Sequence, residues 1–414
     1  MMAKETYILR LLGGILMLLL TLTACSSDDD SQSEKTVLKI YVYTPDHPIV
    51  TRGDIGNVSA TEAENKIKSL HVWVFKHDTG DLVGYVTTTE NVISSETNNG
   101  TLLMDVTDPD FIKNKPNVDV YVMANVTNSN CGLTLNGSKT RTQLNDALIA
   151  NGKFGPGAIV SSIPNDGLPM SGVLKDQPVF GTAPVFGVGS EDNLAKVKLV
   201  RAVSKMRFIF CCSHEDTDNH VVNSITIDKT TFPQKEYLFL NDEYSAVGNP
   251  EYPGDERFFP GLRYKVSTTY DTGTTGSLLS STSTSIPKMQ DTSRDPSYYE
   301  WKSTLDGQAY EARIAEGLNH GDNLVDLHDL GTFYFRESDL QVAGTITYDK
   351  INATTYKTAD FKISDPGFKK GDFGRNHTWI IFAYFSYAKG LNVVTVKVND
   401  WDDQGDITHE VYNW

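Results

Sequence analysis

Cysteine is scarce, with four in 414 residues. One of them, Cys25, closes an N-terminal leader. The others, Cys131, Cys211 and Cys212, have neither the CxxC spacing of a zinc site nor the number for a disulfide framework. Adjacent cysteines rarely bond each other, so one bridge is possible and none is required. Positive charge is short as well: 37 Lys and Arg face 53 Asp and Glu, a formal net charge of −16. Phosphate backbones and anionic membrane surfaces repel such a chain, which argues against nucleic acid as a partner. Catalytic signatures are missing. There is no nucleophile elbow, P-loop, HExxH or dinucleotide fingerprint, so the chain reads as a non-enzyme and implies no cofactor. Helical periodicity is confined to residues 61–68 and 142–150.

What is present begins with the leader. Lys4 and Arg10 precede an apolar run over residues 11–22, and the run ends in Leu22-Thr23-Ala24-Cys25. Residues 1–24 therefore read as a signal peptide too short for an anchor helix, and the small residues before Cys25 form a lipobox. In that chemistry the Cys25 thiol takes a diacylglycerol, the peptide is cut, and the protein sits on the outer membrane through its lipid. Residues 25–36, with Ser26-Ser27-Asp28-Asp29-Asp30, read as a solvated acidic tether.

Beyond the tether the hydrophobic period switches to two. Hydrophobic residues make up 39% and aromatics 10%, enough for a core rich in sheet. Strand-like runs cover residues 38–43, 70–75, 118–126, 196–210, 379–387 and 392–398. In the third, Val118, Val120, Val122, Ala124 and Val126 share one face against Asp119, Tyr121, Met123 and Asn125, the pattern of a half-buried sandwich strand. Asp78 and Gly80 suit a hairpin turn between residues 75 and 82. The length suits two or three domains; two are expected, and the loss of apolar residues at 187–193 places them at 37–190 and 191–414. Residues 267–285, rich in Ser, Thr and Gly, read as a long exposed loop.

Several constellations have plain readings. His320, Asp322, Asp326, His328 and Asp329 carry imidazole and carboxylate on one loop, but such groups are usually just solvated. Asp400, Asp402, Asp403 and Asp406 lack the spacing of a calcium loop, and Arg52-Gly53-Asp54 is a three-residue match that arises by chance. Neither metal nor integrin is therefore implied. Arg52 is more telling for its setting, because Pro45, Pro48, Gly53 and Gly56 make an extended exposed loop of the kind proteases cut. Cutting between Arg52 and Gly53 would detach the lipid and free the strand that holds Val37, Leu38, Ile40 and Val42. The other end has a matching peculiarity. Val394, Val396 and Val398 alternate with polar residues, and the last run carries Ile407, Val411, Tyr412 and Trp414 where a frayed polar terminus is usual. Those side chains either complete their own domain or lie in a groove of another copy.

Taken in order, these pieces resemble the FimA-like fimbrillins, the type V pilins of Bacteroidota. The resemblance rests on the lipobox at Cys25, the Thr51-Arg52-Gly53 loop, Ile67-Lys68-Ser69-Leu70-His71-Val72-Trp73-Val74-Phe75, and Val120-Tyr121-Val122-Met123-Ala124-Asn125. It continues through Leu168-Pro169-Met170-Ser171-Gly172, Leu199-Val200-Arg201-Ala202-Val203-Ser204-Lys205, Arg375-Asn376-His377-Thr378 and Val398-Asn399-Asp400-Trp401. It implies a mostly β fold of two transthyretin-like Greek-key sandwich domains in tandem. It also implies donor-strand assembly of a fimbria: an Arg-specific protease cuts, the strand 37–43 leaves, and residues 392–414 of a neighbouring copy or related subunit fill the groove head to tail. Stalk, anchor and tip subunits all belong to that family. The competing reading is a monomeric glycan-binding surface lipoprotein, with Trp73, Trp379 or Tyr387 stacking on sugars and the C-terminus paired within its own chain.

Overall fold

The computed structural model describes residues 35–44, 62–88, 99–147, 160–212, 219–232, 236–240, 264–266, 276–279, 284–286, 328–338, 342–363, 375–376, 378–386, 390–398 and 410–413. The fold is mostly β and consists of tandem sandwiches. The N-terminal sandwich begins with β1 (Val37–Tyr43), followed by β2 (Leu70–Lys76), β3 (Leu82–Thr88), β4 (Asn99–Asp105), β5 (Val118–Ala124), β6 (Met170–Gln177), β7 (Val179–Thr182), β8 (Val185–Val188), β9 (Lys196–Lys198) and β10 (Val200–Arg201). One sheet runs β4-β1-β8-β7 with β9 also paired to β1, and the facing sheet runs β10-β6-β5-β2-β3. Between them lie Leu38, Ile40 and Val42 of β1, Val72 and Val74 of β2, Leu102 and Met104 of β4, and Val120 and Val122 of β5.

The C-terminal sandwich is built from β11 (Ser204–Cys212), β12 (His220–Ile227), β13 (Glu236–Leu240), β14 (Tyr264–Val266), β15 (Gly276–Leu279), β16 (Thr284–Ile286), β17 (His328–Phe335), β18 (Val342–Lys350), β19 (Lys357–Ile363), β20 (Thr378–Ser386), β21 (Gly390–Val398) and β22 (Glu410–Asn413). Its sheets run β17-β11-β20-β21-β22 and β15-β12-β18-β19, the latter with β16 on β12, while β13 and β14 form a separate ribbon. Phe208, Phe210, Trp379 and Ile381 meet Val222, Ile225, Ile346 and Phe361 in its core.

The structure departs from the sequence reading in four places. The stretch at 187–193 is a turn inside one unit: Gly189 has φ 103° and bridges Leu194, and Ser190 and Asn193 exchange main-chain hydrogen bonds. That turn hands the chain from β8 to β9, both beside β1, so the N-terminal unit extends through Arg201 instead of ending at residue 190. The run 196–210 is consequently three strands, β9, β10 and β11, shared between the two units. β5 is buried on both faces, because Tyr121 and Met123 point into a second cluster with Trp73, Phe75, Leu144, Leu168 and, from β13, Leu238 and Phe239. Finally, residues 276–279 of the Ser/Thr-rich stretch, and 284–286 at its end, are strands on β12, with Ile286 2% exposed, so the loop-like composition is overridden.

Cys131 is a buried free thiol, and Cys212 is buried as well. Trp73 and Trp379 are fully buried, and the Trp73 indole N–H donates to the Asn136 carbonyl at 2.8 Å, so neither ring offers a surface for sugars. Tyr387 lies outside the described residues. So do His320, Asp322, Asp326 and the four aspartates from Asp400 to Asp406. Among the described residues no three His, Cys, Asp or Glu side chains converge on a metal position.

Candidate functional site

β1 is an internal strand and the first of the described strands. Its alternation Leu38, Ile40, Val42 against Lys39, Tyr41, Tyr43 gives a strand with one apolar face. On one edge it pairs antiparallel with β4 from Val37↔Asp105 to Tyr43↔Asn99. On the other it runs parallel to β8 over Val37–Lys39 and to β9 over Tyr41–Tyr43. The ends are tied as well, with Val37 N–H donating to the Pro184 carbonyl at 2.8 Å and Leu199 N–H donating to the Tyr43 carbonyl at 2.9 Å.

Leu38, Ile40 and Val42 are 0%, 1% and 0% exposed. They belong to the same core cluster as Leu102, Met104, Phe186, Val188, Val197 and Leu199. Burying three such side chains contributes roughly 5–9 kcal/mol in all. A whole domain is stable by only about 5–15 kcal/mol. The slot between β4 and β8/β9 therefore cannot stand empty at little cost, and any strand that replaces β1 must supply an equivalent apolar face. On the outer side Lys39 faces solvent and the Lys196 ammonium lies 5.3 Å from the centre of the Tyr41 ring.

The C-terminal residues lie in the other sandwich. Val394, Val396 and Val398 sit on β21 opposite Phe382, Ile380 and Thr378 of β20. β22 is the last strand of that sheet and pairs with β21 over four positions, Val411 opposite Val396 and Tyr412 opposite Thr395. Within one chain these strands complete their own sheet, and the fold does not bring them to β1. Cys25, Arg52, Gly53, Ile407 and Trp414 lie outside the described residues.

The sequence reading missed a third element, a polar junction between the sandwiches. The helix Glu62–Asn65 places Glu64, 1% exposed, against the C-terminal unit. The Glu64 carboxylate accepts from the Lys205 ammonium at 3.1 Å and from the Tyr334 hydroxyl at 2.7 Å, and its carbonyl accepts from Arg201 Nε at 3.2 Å. Arg201 also donates to the Asn376 side chain at 2.8 Å, and Asn376 N–H donates to the Val203 carbonyl. Arg375 donates to the Leu238 and Tyr237 carbonyls and pairs with Glu337, while Ser171 donates to the Leu238 carbonyl from the other unit. Burial pulls the Lys205 ammonium below its ordinary value although Glu64 opposes it, and burial beside Glu64 pushes the Tyr334 phenol up. Arg201 and Lys205 inside the apolar run 199–210 were the available signal, since charges there must be buried with partners.

Residues 48–204 match the family model described as major fimbrial subunit protein (FimA). Over that stretch the chain is similar to the FimA family. The match starts beyond β1 and ends at the first residue of β11, so it covers the N-terminal unit without its first strand. The family so described is one of fimbrial subunits. Among solved structures the chain is similar to the C-terminally truncated tip fimbrial protein Mfa3 from Porphyromonas gingivalis, with 12% identity, a TM-score of 0.45, and coverage of 92% of this chain and 100% of that one. It is also similar to a fimbrial assembly protein from Parabacteroides distasonis, with 13% identity, a TM-score of 0.39, and coverage of 91% and 99%. No curated protein matches the chain.

Proposed function

We propose that this chain, whose residues 48–204 match the FimA family model, is a structural, non-enzymatic subunit of a surface fimbria that serves adhesion and polymerises by protease-triggered strand exchange. The precursor is exported as a lipoprotein and held on the outer membrane by the lipid on Cys25. An Arg-specific protease then adds water across the Arg52–Gly53 peptide bond, leaving a carboxylate on Arg52 and an amine on Gly53. β1 departs with the lipidated segment, and Val394, Val396 and Val398, with Ile407, Val411, Tyr412 and Trp414, come from a neighbouring copy to fill its place.

The observation that carries this reading is the position of β1, an internal strand with three buried aliphatic side chains whose covalent link to the rest of its sheet runs through the segment that holds Arg52. Before cleavage the strand is the chain's own, and after cleavage only non-covalent contacts keep it. The contact is head to tail, so it propagates into a filament. Main-chain ladder bonds on both edges give affinity, and the alternate apolar positions fix register.

The test is to treat a soluble form starting near Ser31 with an Arg-specific protease, then follow the new N-terminus and the assembly mass. Cleavage after Arg52, with ladders of oligomers that vanish when residues 407–414 are deleted, supports the proposal. A cut chain that stays monomeric overturns it in favour of an anchor subunit or a monomeric surface lipoprotein, for which self-pairing of β21 and β22 would be the final state.

A further inference from the structure

The segment that follows the Arg52 loop is fastened twice. Residues 66–69 have no regular secondary structure, yet both flanks are held. At residue 64 the carboxylate and carbonyl receive Lys205 and Tyr334 from the C-terminal unit and Arg201 from the junction. At residues 66 and 68 the Asn125 side chain of β5's end takes over, donating to the Lys66 carbonyl at 2.9 Å and accepting from Lys68 N–H at 2.7 Å. The exit of β1 is close by in the fold, because Leu199 holds the Tyr43 carbonyl and Arg201 holds the Glu64 carbonyl. The chain therefore leaves the sheet after β1 and returns before β2 at one place, the stretch 199–201.

Resting on the strand-exchange reading above, we propose that Glu64 is the retaining pin of the processed N-terminus: it fixes residues 62–68 to the junction so that cleavage frees β1 alone and leaves the end of its groove beside Leu199 formed. Glu64 is a positioning residue in this scheme. It touches neither the cut bond nor the incoming strand. Without it, release of the loop would let the chain fray toward β2, and the wall of the groove would loosen as the donor arrives. A carboxylate suits the task because it accepts from Lys205 and Tyr334 at once, and removing it would leave a buried ammonium without that partner.

Lys66 and Lys68 are both exposed on this pinned, irregular backbone, which makes them built-in reporters. A Lys-specific protease is applied to the full chain before and after cutting at Arg52, and cleavage at Lys66 and Lys68 is measured by mass relative to cleavage at exposed Lys113. The ratio separates local release from general destabilisation, which would raise both. In the unaltered chain Lys66 and Lys68 stay resistant in both states. Glu64→Ala raises the ratio by about tenfold or more, and Tyr334→Phe raises it in the same direction by a few-fold, which serves where Glu64→Ala does not fold. An unchanged ratio in a folded Glu64→Ala or in Tyr334→Phe overturns the proposal, as does cleavage at Lys66 in the unaltered chain once Arg52 is cut. Failure of Arg52 to be cut overturns the strand-exchange reading instead, and the uncut chain still reports on the pin.

Discussion

Tyr334 and Glu64 stand 270 positions apart in sequence, and the Tyr334 hydroxyl donates to the Glu64 carboxylate at 2.7 Å across the junction of the two sandwiches. Both groups are buried, and Lys205 completes the triad from β11. Such a contact has no local cause in the chain. It forms only when both sandwiches are folded and docked, which makes it a measure of their coupling.

Removing one hydrogen bond to a buried charged group costs about 1.5–3 kcal/mol. Tyr334→Phe is therefore expected to lower stability by about that amount in urea unfolding. Glu64→Ala should cost more, about 3–5 kcal/mol, since it strips Lys205 of a partner for its buried charge. Equal costs for the two variants would mean that the Lys205–Glu64 pair contributes nothing.

A second polar centre sits at the far end of the N-terminal sandwich. Asp119, 1% exposed, accepts from the His77 ring at 2.7 Å, from Arg141, and from Asp176 N–H at 2.9 Å. The hydrogen bond to Asp119 raises the His77 pKa above its ordinary 6.5. Burial alone would raise Asp119, but its three partners outweigh burial and hold it below its ordinary 3.8. The sign for His77 follows: a raised value means stability that is full below about pH 6.5 and is lost as pH climbs through the folded value. For Asp119 the depressed value means stability present above about pH 4 and lost on further acidification. Thermal midpoints should thus fall between about pH 6 and pH 9, and His77→Ala should flatten that limb. A His77→Ala chain with the same pH slope would assign the slope to other groups.

Much of this architecture was legible in the chain, and the reasons are local. The period-two alternation of Leu38, Ile40 and Val42 and the Asp78 to Gly80 turn act on neighbours, so β1 and the β2–β3 hairpin could be read directly. Glu64, Lys205, Tyr334 and Asn376 could not be paired from sequence, because nothing local distinguishes a carboxylate that will be buried by a distant strand from one that stays in water. The boundary placed near 190 could not be fixed closely for a related reason. A Gly and polar run marks a turn equally well inside a sheet and between domains, and only the parallel pairing of β9 with β1 decides.

Close backbone approach gives a sharper test of how β9 is held. A Cβ on Gly172 of β6 would collide with the Lys198 carbonyl and come within 2.8 Å of the Val197 side chain. Both neighbours belong to the strand that flanks β1, and a main-chain oxygen cannot swing aside. Gly172→Ala should therefore push β9 away from β6 and destabilise the N-terminal unit by about 1–3 kcal/mol, the usual cost of overpacking. Hydrogen exchange would show the loss first at Val197 and Leu199. Normal protection there would mean that the sheets separate without disturbing the ladder to β1.

The slot of β1 can be probed without any protease. Ile40→Ala should cost about 2–5 kcal/mol, because the site is enclosed by two sheets and collapses poorly around a cavity. A chain that begins at Gly53 lacks β1 altogether, and by the burial of Leu38, Ile40 and Val42 it should lose roughly 5–9 kcal/mol and bind a hydrophobic dye. Adding a synthetic peptide of residues 37–43 should restore its thermal midpoint, since that peptide recreates the native ladder on both edges. A peptide of residues 392–414 should do the same if its alternating valines match the three apolar positions of the slot. Restoration by the first peptide and not the second would leave the slot intact as a strand acceptor but remove the C-terminal residues as its occupant.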